Sequence, residues 1–175
     1  MIRGDLDAIP QFDWPPGYSV RCYADGDIDA WVKIIAPDPH LQADRKMFLK
    51  EFGTDAARIS ERMLFIVSPE GQDIGTATAW ESDDACGGLL GLVHWVFILP
   101  EFQGRGLANS LMTATLNRIK QLGHRRCALG TQIMRIPAIH LYLKFGFVPD
   151  IHSADDKSHW TLLKPHVKHP AVQSV

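Results

Sequence analysis

Residues 103–109, Gln-Gly-Arg-Gly-Leu-Ala-Asn, join an apolar run to a segment of helical periodicity and carry the chain's clearest binding chemistry. Glycines at 104 and 106 let the backbone turn tightly and aim successive amide hydrogens at one point. The helix that follows adds unpaired amides and the positive end of its dipole, so the combination predicts an anion site. Arg105 supplies a charge beside it. Two other side chains suit proton transfer. His94 carries an imidazole, a group whose ordinary pKa of ~6.5 suits proton exchange at neutral pH. Tyr142 has a phenol, in a stripe with Ala138 and Phe145 that also suits packing.

Spacing narrows the anion. A dinucleotide loop requires G-x-G-x-x-G, but the third glycine position after Gly104 and Gly106 is Asn109, and no G-x-x-x-x-G-K-[ST] string occurs. What remains, Gln103-x-x-Gly106-x-Ala108 after an apolar strand, resembles the acetyl-coenzyme A motif [QR]-x-x-G-x-[GA] of the GCN5-related N-acetyltransferases (GNAT). Downstream, Ala-Ile-His-Leu-Tyr-Leu-Lys-Phe-Gly-Phe at 138–147 is similar to the family's A-x-x-L-Y-x-x-x-G-F signature, in the order the family requires. The resemblance is good over 63–150 and looser before it.

The resemblance implies an acetyl-coenzyme A dependent N-acetyltransferase acting on a primary amine by direct attack on the thioester. Gln103, Gly104, Arg105, Gly106, Leu107, Ala108 and Asn109 would hold the pyrophosphate. Val96, Phe97 and Ile98 would offer backbone groups to the pantetheine arm. Tyr142 would be the general acid for the departing thiolate. His94 would be the base; strict alternation puts it on one face with Leu92 and Val96. Many members carry glutamate where this chain has Leu92, and asparagine where it has Arg135, so Arg135 would replace that coenzyme contact with an ionic one. Thr131, Trp80, Glu81 and His159 would line the acceptor side. Other readings are a coenzyme A sensor without transfer and a protein acetyltransferase acting on lysines or N-termini. The acceptor is expected to be a small-molecule amine or a peptide, and a homodimer is compatible with this reading.

The 175 residues are 46% hydrophobic and 22% charged with a formal net charge of -2. That suits one folded domain over 1–175 and gives no global attraction to nucleic acid or acidic membrane. Cys22, Cys86 and Cys127 are unclustered, and His166 and His169 make no four-ligand set, so no metal is expected. The N-terminus has no signal-peptide core, no run approaches the ~20 apolar residues of a membrane span, and a cytoplasmic location is expected.

Several elements must position these residues. Residues 1–17, rich in proline, are expected to form an arm anchored by Phe12 and Trp14. Residues 18–23 read as a strand. Asp25 and Asp27 can cap a helix whose Ile28, Trp31, Val32 and Ile35 fall on one face. Further helix is expected over 41–62, broken at Gly53. Residues 63–68 and 74–81 form a hairpin, Leu89–Ile98 a buried strand ended by Pro100, and the helix after Gly106 should stop at Gly123. Residues 126–131 should run parallel to the Leu89–Ile98 strand, and Pro137 should open a helix ending at Gly146. Residues 147–151 and 158–163 read as a closing hairpin, and 164–175 as a loose tail. The resemblance implies an α/β fold whose mixed, mostly antiparallel sheet of six to seven strands splays between two parallel central strands, flanked by helices.

Overall fold

The computed structural model describes residues 1–83 and 88–175; Cys86 lies outside the described residues. In chain order the elements are β1 (Ile2–Arg3), β2 (Ser19–Cys22), α1 (Ile28–Ile35), α2 (Arg45–Phe52), α3 (Ala56–Ser60), β3 (Met63–Val67), β4 (Asp73–Asp83), β5 (Leu89–Ile98), a single 3-10 turn (Pro100–Phe102), α4 (Leu107–Gln121), β6 (Cys127–Ala128), α5 (Ile136–Lys144), α6 (Ala154–Leu163) and α7 (Pro170–Gln173). The strands form one six-stranded sheet in the order β1-β6-β5-β4-β3-β2. Every pairing is antiparallel except β5 with β6. This is the mixed α/β sheet the sequence predicts, and no helix of the described residues is long and apolar enough to cross a membrane.

The parallel pair controls the shape of the site. Its register is Gly91 with Cys127 and Leu92 with Ala128, and it extends no further, so from Val93 to Ile98 β5 is paired only with β4. The two strands diverge beyond Leu92 and open the sheet. At the closed end the strands hold helix α4 against them. A Cβ on Gly91 would lie 2.4 Å from the Ile119 Cγ2 atom, so only glycine allows that approach. Helix α4 ends as predicted: Gly123 has φ +91°, with its amide donating to the Lys120 carbonyl and the His124 amide to that of Ile119.

Strand β5 also carries a bulge. Thr78 pairs with His94 but Thr76 pairs with Phe97, so β5 has one extra residue there, and Trp95 adopts φ +51°. Positive φ at a large non-glycine residue is strained and persists only where surrounding contacts enforce it. Here the Trp95 ring meets Trp31 edge-on at 5.2 Å, and its Nε1 donates to Glu51 at 3.1 Å.

Four expectations are corrected. Asp27 does not cap α1; its carboxylate takes Arg21 and the Ala24 amide instead. There is no closing hairpin. Residues 154–163 are helix α6, started by Ser153, whose hydroxyl accepts the Asp156 amide with Asp155 and Asp156 in the first turn. The far sheet edge is closed by β1 from the supposed arm, Ile2 opposite Ala128 and also bridging to Val148. Buried Arg3 fixes this segment by donating to the carbonyls of Asp5, Ala8 and Phe145. Finally, 164–175 is no loose tail: Val167 and Val172 are fully buried with Ile139, Leu143 and Leu163, and His169 caps α7. Phe12 and Trp14 do pack on the domain, against separate parts of the core.

Candidate active site

The divergence of β5 from β6 is flanked by two cavities that share a wall. The larger, about 430 Å³, is lined by Val96 and Ile98 of β5, by the loop and first turn of α4 (Gln103, Gly104, Gly106, Leu107, Ala108, Asn109), and by Pro137, Ala138, Leu141 and Tyr142 of α5. Gly104 and Gly106 take φ +74° and +82°, and a Cβ on either would meet nothing within 4 Å. The glycines therefore serve the turn and leave the space before it open. The amides of residues 104–108 have no protein acceptor among the described residues, which leaves five consecutive donors at the start of a 15-residue helix. The Gln103 side chain donates to the Ile98 carbonyl at 2.8 Å and ties loop to strand end. Lys144, which the sequence does not single out, donates to the Asn109 side chain at 3.0 Å and brings a cation to the loop's edge.

The smaller cavity, about 250 Å³, lies on the other side of Val96 and Tyr142. Ile35, Asp38 and Leu41 from the N-terminal helical region, Val93, His94, Trp95 and Phe97 from β5, and Gly130, Thr131 and Arg135 complete it. The bulge determines what faces it. Thr76 and Thr78 share a face of β4, so His94 shares its face with Phe97, and the expected common face of His94 and Val96 is broken. Phe97 and Trp95 consequently border the aromatic cluster of α1 and α2, while Val96 packs into the opposite clusters.

His94 Nε2 lies 3.1 Å from Glu51 Oε2, and its ring meets Phe52 edge-on at 5.9 Å. Burial holds the imidazole below its ordinary pKa, opposed by the hydrogen bond and charge of Glu51. It is thus neutral at pH 7, oriented by a carboxylate, and able to accept a proton. Tyr142 is only 7% exposed, and burial pushes its phenol up to about 12, with the Arg135 charge acting the other way. The phenol therefore keeps its proton at neutral pH.

Other predicted residues are placed differently. Phe97 lines the smaller cavity, not the larger. Arg105 lies outside the larger one, donating to the Tyr18 hydroxyl and the Glu101 carbonyl, with its guanidinium 5.0 Å from the Phe102 ring centroid. Arg135 is on the smaller cavity, where it donates to Asp38 at 2.7 Å. Trp80 and Glu81 line neither. Glu81 is held by Arg58 at 2.8 Å and Arg62 at 3.1 Å, and Arg58 lies 4.7 Å over the Trp80 ring, so the pair belongs to an ion cluster beside α3. Their strand pairing explains the separation: they oppose Leu92 and Gly91, before β5 diverges. His159 borders a third cavity of about 170 Å³ with Asp150 and Asp156. Besides Lys144, the residues missed were Asp38 and Glu51. Only the position of Glu51, three residues after buried Phe48 and one before buried Phe52, hinted that it borders a packed face.

Known proteins share this fold and identify its family. The model of the acetyltransferase (GNAT) family matches residues 5–147. The mycothiol acetyltransferase of Pseudarthrobacter chlorophenolicus is 29% identical over 157 residues, 84% of this chain and 47% of the relative. The spore coat polysaccharide biosynthesis protein SpsD of Bacillus subtilis is 25% identical over 114 residues, 65% of this chain and 38% of the relative. The chain thus spans less than half the length of these curated relatives. Among solved structures, a GCN5-related N-acetyltransferase from Sphaerobacter thermophilus superposes with TM-score 0.64 at 20% identity, over 83% of this chain and 46% of that one. The aminoglycoside N-acetyltransferase AAC(6')-Iy, solved in complex with CoA, gives 0.62 at 19% identity, over 83% and 95%. With the family model matched over most of its length, the chain belongs to the acetyltransferase (GNAT) family.

Proposed function

We propose that the chain is an acetyl-coenzyme A dependent N-acetyltransferase that acts on the primary amine of a small molecule. The observation that carries this reading is the position of Tyr142, a buried phenol common to the walls of an amide-lined cleft and of a cavity holding a neutral histidine. The family's coenzyme supplies an activated acetyl carbonyl on a thioester. The open amides at 104–108, with Gln103 and Asn109 at the edges, suit its pyrophosphate, and the unpaired side of Val96 and Ile98 suits its amide-bearing arm.

In this reading His94 keeps the acceptor nitrogen unprotonated, directly or through a water. The nitrogen bonds to the acetyl carbon, the carbon–sulfur bond breaks and the thiolate takes the proton of Tyr142, while the proton the nitrogen gives up passes through His94 or water and returns to the phenolate. A thiol's pKa of ~8.5 lies well below that of the phenol, so transfer to a fully formed thiolate is uphill on its own; the phenol contributes chiefly by donating a hydrogen bond to the sulfur as charge builds there, and the amine's proton returning to the phenolate completes the exchange. Mycothiol and aminoglycoside acetyltransferases among the similar proteins support a small-molecule acceptor. So does the modest volume of the smaller cavity.

Two measurements test this. Acetyl-coenzyme A at a hundredfold excess over Kd should stabilise the native state by about 2.7 kcal/mol, seen as a raised Tm. Purified protein should then release thiol from it in the presence of a suitable amine. No binding at millimolar coenzyme overturns the assignment. Binding with no release across a broad amine panel identifies a sensor, the reading that Leu92 in place of the more usual glutamate would favour.

A further inference from the structure

The charges of the smaller cavity constrain what it takes. Asp38, 7% exposed, has both oxygens engaged and its charge matched: one takes the His40 amide at 2.9 Å and the other takes the Arg135 cation at 2.7 Å. It therefore has little capacity left for a ligand cation, and its effect is to hold Arg135 in place. Arg135 is less consumed. Of the five N–H donors of a guanidinium, one is committed to Asp38 among the described residues; the side chain is 40% exposed overall and lines the cavity. The remaining donors form the planar edge that fits a carboxylate in bidentate fashion. Ile35, Leu41 and Phe97 add an apolar strip to a wall that is otherwise mostly polar, and His94, Thr131 and Tyr142 lie on the same cavity. At about 250 Å³ the space falls below the roughly 300–1,000 Å³ of pockets for drug-sized ligands.

We propose that Arg135 selects the acceptor by binding a carboxylate with its free guanidinium edge, so that the acceptor is a short amino acid with an apolar side chain. The amine then lies on the side of His94 and Tyr142, the apolar part against Ile35, Leu41 and Phe97, and Asp38 acts as a positioning residue. This inference rests on the acetyltransferase reading above, and specifically on the smaller cavity as the acceptor site.

The test compares amino acids with the amines that lack only the carboxylate: L-phenylalanine with phenethylamine, and L-leucine with isoamylamine, each assayed by thiol release from acetyl-coenzyme A. Wild type should prefer the amino acid by roughly 10- to 100-fold in kcat/KM, since a site built around a charged donor rejects the partner that leaves it unpaired. Arg135→Gln should abolish that preference by losing at least tenfold more activity on the amino acids than on the amines, since any effect of the lost charge on Tyr142 falls on both members of a pair alike. Arg135→Lys should restore part of it. Because Arg135→Gln leaves Asp38 without its cation, the double variant Asp38→Asn/Arg135→Gln provides a neutral pair and should show the same loss of preference. Equal rates on both members of each pair, or turnover of neither, would overturn the proposal. So would a rise in coenzyme KM in Arg135→Gln with acceptor preference intact, which would put the guanidinium on the coenzyme. Coenzyme binding by wild type, measured separately, distinguishes these failures from a failure of the acetyltransferase reading.

Discussion

The two cavities that meet at Tyr142 are built by opposite means. The larger comes mainly from one continuous stretch, β5 through the first turn of α4, plus one face of α5, and its polar capacity resides in backbone amides. The smaller is assembled from the end of α1 and the turn after it, the bulged part of β5, the segment after β6 and the start of α5; its polar capacity is in the side chains of Asp38, His94 and Arg135. Backbone donors exist whatever the side chains are, so a cleft that uses them keeps its ligand while the surrounding sequence drifts. A cavity whose chemistry lies in side chains from distant segments changes specificity with single substitutions. The first arrangement suits a ligand common to a family and the second a ligand particular to one member.

Substitutions can break or sharpen this contrast. The largest loss of turnover is expected from Tyr142→Phe, because the residue belongs to both walls. If its phenol is the acid, kcat should fall roughly 100- to 1000-fold, with coenzyme affinity kept, since the ring still packs. Parallel calorimetry and steady-state kinetics check this; loss of affinity and turnover together would make Tyr142 a coenzyme-positioning group. Gly106→Val should act on the larger cleft alone. Its side chain would enter open space in front of the amides and force a β-branched residue to φ +82°. Coenzyme affinity should drop by about 100-fold, with a lower Tm from backbone strain. Unchanged binding in a folded variant would show that the loop had been misassigned.

On the smaller side the effects are subtler and depend on pH. Only neutral His94 accepts a proton, and its pKa is held below the ordinary 6.5, so kcat/KM should decline only as pH falls beneath that value. Glu51 stabilises the imidazolium, opposing burial. Glu51→Gln should therefore move the acidic limb to still lower pH and change activity at pH 7 by only a few-fold. Profiles with two acceptors of different amine pKa separate this limb from titration of the acceptor; a limb that stays in place returns His94 to a packing role. The smallest effect on turnover belongs to Glu81→Ala. It removes the anion between Arg58 and Arg62 and should cost roughly 1–3 kcal/mol by thermal denaturation, with kcat/KM within about twofold of wild type. A large kinetic loss would restore Glu81 to the acceptor site.

Much of the larger cleft was legible from residues 89–146 because its determinants are local. An apolar run stops where Pro100 follows it, glycines turn where φ must be positive, and Gly123 ends a helix through its own backbone. Errors arose where locality failed. Residues 158–163 read as a strand, yet the capping hydroxyl of Ser153 and two acidic residues in the first turn made a helix. The edge that strand was meant to close is occupied instead by Ile2–Arg3, too short to register as a strand and defined only by its partner Cys127–Ala128.

The sequence by itself determined the strand–loop–helix that presents open amides, the position of Tyr142 in a helix begun by Pro137, and with these the family. Those features depend on φ/ψ preferences and on periodicities within a few residues. Only the tertiary structure decided which face His94 occupies, since one inserted residue at Trp95 reverses the alternation, and a bulge is defined by the facing strand. It likewise decided that Glu51 pairs with His94 across 43 positions and Asp38 with Arg135 across 97, bringing charges to the smaller cavity that no local pattern announces. Such pairs follow from where the packed helices α1 and α2 come to rest on the sheet, and that depends on the whole core at once.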